Sequence, residues 1–209
     1  SKDGTVVAIG AFLNDGSGNN AGHVRVYEYV NNGWTKLGDD INGEAADDKS
    51  GYSVTLSADG TVVAIGSRAN SGNGNSAGHV RVYQYDISNG WIKLGGDIDG
   101  EAAGDWSGHS VALSDDGTVV AIGAIFNDGE NGTDSGHVRV YQFVDNGWLQ
   151  IGGDIDGEAA EDRSGKSVAL SKDGTVVAIG AYWNDGENGT DSGHVRVYSL
   201  LKYDEGRED

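Results

Sequence analysis

Apolar positions in this chain come in short bursts separated by polar, glycine-rich stretches, and the bursts are of four recurring kinds. Gly108-His-Ser-Val-Ala-Leu-Ser114 alternates, placing Val111 and Leu113 on one face. Thr118-Val-Val-Ala-Ile122 is a continuous apolar, β-branched run, the pattern of a strand covered on both faces. His137-Val-Arg-Val-Tyr141 alternates again, with Val138 and Val140 opposite His137, Arg139 and Tyr141. Trp148-Leu-Gln-Ile151 is the fourth burst. These predict four short strands, here A, B, C and D. No segment holds a 3.6-residue apolar period, so no substantial helix is predicted.

The four bursts recur along the chain with a period of 57 residues. Ser1-Lys-Asp-Gly-Thr-Val-Val-Ala-Ile-Gly10 returns from Ser57, Ser114 and Ser171, changed only at its second position. Gly-His-Val-Arg-Val-Tyr starts at Gly22, Gly78, Gly136 and Gly193, Gly-Trp at Gly33, Gly90 and Gly147, and Ser-Gly-x-Ser-Val at Ser50, Ser107 and Ser164. The repeats divide as 1–56 (short of its first strand), 57–113, 114–170 and 171–200 (short of its last), with an acidic tail over 201–209.

Connector length separates the two ends of such a unit. A joins B through a tight Asp-Gly hairpin, such as Asp116-Gly117, and C joins D through Asn-Gly, such as Asn146-Gly147. B–C and D–A are long polar loops. Successive connectors of an up-and-down sheet alternate between its ends, so all the long loops share one face. Most of the 33 acidic residues fall in them.

Four-stranded units of this length predict an all-β propeller of antiparallel blades that bury one another face to face. The run from Gly104 to Ala124 resembles an FG-GAP repeat, the blade unit of integrin alpha-chain propellers and of many microbial surface proteins. The Phe-Gly pair of that family stands here as Ser-Gly at Ser50-Gly51, Ser107-Gly108 and Ser164-Gly165, and its Gly-Ala-Pro lacks the proline. The family's calcium loop is an A–B connection, which here is only Asp-Gly-Thr, too short to wrap an ion. The resemblance implies a seven-blade ring. Fourteen predicted strands make three and a half blades, so the expectation is a piece of a longer array, with further repeats or a second copy closing the ring.

Charge narrows the partners. A net charge of −19 repels nucleic acid and anionic lipid, and no apolar run is long enough to cross a membrane. With no cysteine there is no disulfide framework, thiolate site or Cys nucleophile.

Calcium is the first candidate ligand, because hard cations take six to eight oxygens and carboxylates alternating around a glycine supply them. Asp97, Asp99, Glu101 and Asp105 have this spacing in one D–A loop; Asp40, Glu44 and Asp48, and Asp154, Asp156, Glu158 and Asp162, are its counterparts. The B–C loops add Asp128, Glu130 and Asp134, and Asp185, Glu187 and Asp191. The competing reading makes them solvated turn residues. His23, His79, His137 and His194 recur once per blade, too far apart to share an ion, and are expected to hydrogen-bond inside their blades. Partner contacts are expected where the copies differ: Phe12, Arg68, Phe126, Tyr182 and Trp183 after strand B, and Trp106 before strand A. Asn131 and Asn188 open Asn-Gly-Thr glycosylation triplets. No asymmetric catalytic cluster or nucleophile motif is present. The expected role is a non-enzymatic, extracellular or cell-surface adhesion module that binds Ca²⁺ and contacts a protein or glycan. The alternative is a purely structural repeat subunit.

Overall fold

The computed structural model describes residues 1–186 and 188–200, which form seventeen strands and no helix. Glu187 and the tail 201–209 lie outside the described residues. Blade 1 holds β1 (Val6–Ala11), β2 (His23–Val30), β3 (Gly33–Lys36) and β4 (Ile41–Asn42). Blade 2 holds β5 (Ser53–Leu56), β6 (Val62–Ser67), β7 (His79–Asp86), β8 (Gly90–Lys93) and β9 (Ile98–Asp99). Blade 3 repeats this as β10 (Ser110–Leu113), β11 (Val119–Ala124), β12 (His137–Val144), β13 (Gly147–Gln150) and β14 (Ile155–Asp156). Blade 4 has β15 (Ser164–Leu170), β16 (Val176–Ala181) and β17 (His194–Ser199). Each sheet is an antiparallel meander in chain order, as a propeller of four-stranded blades requires.

The sheets are phased one strand away from the repeat frame. β5 lies within 1–56 yet pairs with β6 in 57–113, and β10 and β15 are shared forward in the same way. Each 57-residue unit therefore contributes its last strand to the next blade. Strand D is split in two: β8 pairs with the end of β7, Leu94 N donates to Val82 O at 2.8 Å, and β9 pairs with His79 and Val80. Between them Gly95 takes φ 68° and the pairing is interrupted. Asp97, just after the break, lies close to His79 at the start of β7.

Packing explains the continuous apolar strand B. Val62 and Ala64 join the cluster with Val120 and Ile122 of blade 3, whereas Val63 and Ile65 join the one with Val24 and Val26 of blade 1. A third cluster joins Val119 and Val138 to Val177 and Ile179. Each fully buried Val or Ile stabilises the seam by about 1.5–3 kcal/mol. On the outward sides of the end blades the same repeat positions are open: Ile9 is 52% exposed and Val195 67%, against 0% for Ile65 and Val80.

Two local devices recur. In Ser-x-Asp-Gly-Thr, Asp59 Oδ1 accepts from Ser57 Oγ (2.6 Å), Thr61 N (3.0 Å) and Thr61 Oγ1 (2.9 Å), which closes the A–B hairpin. At the hub the turns form a backbone chain: Lys2 N donates to Ala58 O, Ala58 N to Asp115 O and Asp115 N to Lys172 O, at 2.8–2.9 Å. At the rim Trp91 Nε1 donates to Leu37 O of the preceding blade (2.8 Å) and Trp148 Nε1 to Leu94 O (2.9 Å). The Gly-Trp motif is thus a clasp between blades.

Candidate functional site

Strand C reaches across each seam. Arg81 Nη2 donates to Asn42 O of the preceding repeat (2.9 Å) and its Nη1 lies 3.1 Å from Glu44 Oε1. Arg139 does the same with Asp99 O (2.8 Å) and Glu101 (3.4 Å), and Arg196 with Asp156 O (2.5 Å) and Glu158 (3.6 Å). Arg25 has no preceding blade among the described residues and turns to Asp40, which also holds Lys36 at 2.6 Å. Arg25 and Lys36 hold the Asp40 carboxyl far below the usual carboxylate range.

The acidic residues named from the sequence separate into distinct roles. Asp48, Asp105 and Asp162 are buried and accept from amides of their own loops: Ala45 N (2.9 Å), Ala102 N (3.0 Å) and Ala159 N (2.9 Å). Asp105 also takes Asn127 Nδ2 (3.1 Å) and Asp162 takes Asn184 Nδ2 (2.9 Å), joining the D–A and B–C loops. Asp128 accepts from Asp134 N and Asp185 from Asp191 N, closing the B–C loops. Asp97 is paired to Lys93 (2.8 Å), and Asp154 accepts from Gln150 (2.7 Å).

Several acids also meet across loops rather than within one. Glu101, Asp128, Glu130, Asp154 and Asp156 line one cleft of about 500 Å³, with Asn127 and Gly129. Burial, then repulsion from Asp154 and Glu130, raises Asp156; burial also raises Glu101, where Arg139 pulls the other way and Asp154, Asp105 and Asp156 add repulsion. Burial and the Asp97 charge raise Asp99. A cation in this cleft would relieve that repulsion.

The histidines were expected to bond inside their blades; His79 Nε2 and His194 Nε2 have no hydrogen-bond partner. His79 is 1% exposed, its Nε2 has no partner, and its Nδ1 stands 4.0 Å from Asp99 Oδ1. His137 Nδ1 faces Glu101 Oε2 (3.8 Å) and Asp154 Oδ2 (3.9 Å). Burial first, then Arg81 and Arg139 respectively, pushes each ring down to about 4. The grouping Glu44–His79–Asp97 recurs as Glu101–His137–Asp154, always with the Glu from one repeat and the other two from the next. The spacing of His and acid in the sequence gives no sign of this, because the seam, not the loop, brings them together.

The non-repeated residues converge completely. Phe12 packs edge-on to Tyr52 (5.4 Å), Arg68 lies over Tyr52 (3.9 Å) and over Trp106 (4.0 Å), and Trp106 meets Phe126 (4.7 Å). Arg163 lies over Phe126 (4.8 Å) and Trp183 (3.7 Å) and donates to Tyr182 Oη (3.2 Å). His109 sits between Tyr52 and Trp106, with Lys166 Nζ 3.1 Å from its Nε2. One alternating strip of rings and cations thus crosses all four blades on the long-loop face. Tyr52, His109 and Lys166 were missed, though they occupy the one variable position of Ser-Gly-x-Ser-Val. Trp106 (φ 57°) and Arg163 (φ 52°) are held in the left-handed region, where bulky residues are strained and which clusters at functional sites. Arg68 Nε and Arg163 Nε make no hydrogen bond.

Asn131 Nδ2, the atom a glycan would modify, donates to Gly157 O at 2.7 Å, as Asn73 Nδ2 does to Gly100 O outside any triplet. Asn188 is exposed.

The FG-GAP repeat family model matches residues 98–141 and 155–198. No curated protein matches the sequence significantly. Among solved structures, the periplasmic gluconolactonase PpgL of Pseudomonas aeruginosa is similar at 17% identity and TM-score 0.54, over 92% of this chain and 49% of that one. The tricorn protease is similar at 12% identity and TM-score 0.50, over 93% of this chain and 17% of that one. The chain spans about half the length of the first and less of the second, and at these identities the likeness is one of fold. The blades and the clasps between them accord with the two stretches, 98–141 and 155–198, that match FG-GAP repeats.

Proposed function

We propose that this chain is a non-enzymatic recognition module of an extracellular or cell-surface protein, and that its long-loop face binds a protein or glycan through the aromatic–cation strip. The observation that carries the reading is the convergence of the residues that differ between repeats into one strip, while the repeated residues build the frame. Aromatic rings and arginines are the side chains that anchor interfaces and stack on sugars. Strain at Trp106 and Arg163 supports it. The test is an array of glycans and extracellular proteins probed with the chain and with Trp106→Ala. Trp106→Ala is expected to lose about tenfold or more in affinity for any ligand found. Equal binding by both would remove the strip from the reading.

Ca²⁺ in the cleft of Glu101, Asp128, Glu130, Asp154 and Asp156 is the second part of the proposal, supported by the raised Asp156 and Glu101 carboxyls. At a hundredfold excess over Kd, Ca²⁺ stabilises by about 2.7 kcal/mol. Millimolar CaCl₂ is therefore expected to raise the melting temperature by several degrees over EDTA and over NaCl of equal ionic strength, and Asp156→Asn to abolish the rise. An unchanged melting temperature would return these acids to solvated turns. The open apolar faces of blades 1 and 4, with Ile9 and Val195 exposed, favour packing against further blades, from the same chain or a second copy.

A further inference from the structure

Two seams each place a buried imidazole between carboxylates of consecutive repeats, with one ligand atom of Glu44, His79 and Asp97, and of Glu101, His137 and Asp154, all within 4.8 Å of one another. The side chains of His79 and His137 are each 2% exposed. A ring so deeply buried is normally hydrogen-bonded. Yet His79 Nε2 has no partner, and His137 Nδ1 stands 3.8 Å from Glu101 Oε2 and 3.9 Å from Asp154 Oδ2, separations too long for hydrogen bonds. They are close to the roughly 3.4 Å between neighbouring ligand atoms around a tetrahedral ion with bonds of about 2.0–2.2 Å. Contraction by about half an ångström closes the gap around His137, the ligand atoms around His79 start within 4.8 Å of one another, and Glu44 and Glu101 are exposed enough to move.

The donor set selects the ion. One imidazole nitrogen with two carboxylates suits Zn²⁺, whereas Ca²⁺ takes oxygen alone and more of it. The B–C loop of blade 2, Asn70 to Ala77, carries no carboxylate, so the first seam cannot assemble an oxygen-rich calcium shell like the cleft of blade 3. Second contacts are already built: Arg139 Nη1 holds Glu101 Oε1 at 3.4 Å and leaves Oε2 facing His137. The end copies are incomplete. His23 has only Asp40, already held by Arg25 and Lys36, and His194 has Glu158 without a counterpart of Asp154 among the described residues.

We propose that each of these two seams binds one Zn²⁺, through Glu44, His79 and Asp97 in the first and Glu101, His137 and Asp154 in the second, water completing the shell, so that the metal clamps successive blades. The site is independent of the recognition strip. Lys93 lies on Asp97, where blade 3 has Gln150 on Asp154, so the second seam is the tighter.

Equilibrium dialysis of the full chain against micromolar Zn²⁺ with a hundredfold excess of Ca²⁺, read by elemental analysis, tests this. Two ions per chain are expected, one in Glu101→Gln and none in Glu44→Gln/Glu101→Gln. Both glutamates are half-exposed, Gln keeps an oxygen for Arg81 and Arg139 to donate to, and thermal melting of the variants checks that they fold. His137→Gln should likewise cost one ion, and Co²⁺ loaded in place of Zn²⁺ should show visible absorption that His79→Gln/His137→Gln removes. The same ion count in wild type and the double glutamate variant would mean adventitious binding to the acidic surface and overturn the proposal, as would displacement of the metal by Ca²⁺. Glu101 and Asp154 also line the calcium cleft, so the readings are separated by the residues they do not share: Asp156→Asn tests calcium alone, and His79→Gln and His137→Gln test zinc alone.

Discussion

Replacing Gly66 by alanine should lower the melting temperature by about 6–12 °C, more than any surface change in the chain. Gly66 closes β6, and an added Cβ would overlap the carbonyl oxygen of Gly108 in the next blade and lie 3.0 Å from its carbonyl carbon. Both are backbone atoms, so no side chain can swing aside. The Ser53 hydroxyl, which donates to the same Gly108 carbonyl at 2.7 Å, is also in the way. The blades must therefore move apart, loosening the Val80, Val82 and Ile122 cluster along the whole seam. Overpacking of this kind costs about 3 kcal/mol, and a chain of this size loses about 2–4 °C per kcal/mol. Gly96 is the control: nothing lies within 4 Å of its added Cβ, so Gly96→Ala should be neutral or slightly stabilising. Equal melting of the two variants in a calorimeter would show that the seam is not close-packed at its glycines.

That glycine contact also shows which parts of the molecule are legible from sequence. The Val-Val-Ala-Ile run says that strand B is covered on both faces, and β6 is, with Val62 and Val63 turned to opposite seams. The C–D turn falls one residue earlier than Asn-Gly suggests: Asn31 and Asn32, at φ 51° and 63°, make it, and Gly33 opens β3 opposite Val30. The strip was legible too, because near-identical copies make every departure conspicuous. What lies between repeats was not. Whether Glu44 meets Asp48 in its own loop or Arg81 in the next blade depends on the rotation between blades, which no spacing within one repeat encodes. Asp105 reads as a ligand by spacing, yet the loop folds its own amides onto it. The split of strand D escaped notice because Ile98-Asp99 is two residues long, below the length at which alternation can be read.

Acid should unfold this protein from a higher pH than its carboxylates alone would set. Burial pushes His79, His109 and His137 each down to about 4, with Arg81, Lys166 and Arg139 adding repulsion. In the unfolded chain each titrates near 6.5. Between those values the unfolded state binds more protons than the folded one, so stability rises with pH there and falls as pH drops. The contribution is fully present above 6.5 and gone below about 4, on the order of 3 kcal/mol for each ring. The cleft carboxyls work in the opposite sense. Glu101, Asp99 and Asp156 are raised, so their protonation favours the folded state, but only near and above the ordinary carboxylate range. The histidine share of the slope is therefore the part that the histidine variants remove. Urea unfolding in EDTA at pH 7.5, 6.5 and 5.5 should therefore show a falling midpoint, and His79→Gln/His137→Gln should flatten most of the slope even if it starts from a lower midpoint. A midpoint constant over this range would mean that the rings stay accessible to protons in the folded state. The seams would then open on the timescale of the measurement, and the interblade clamp of Arg81 on Glu44 would hold less than its geometry implies.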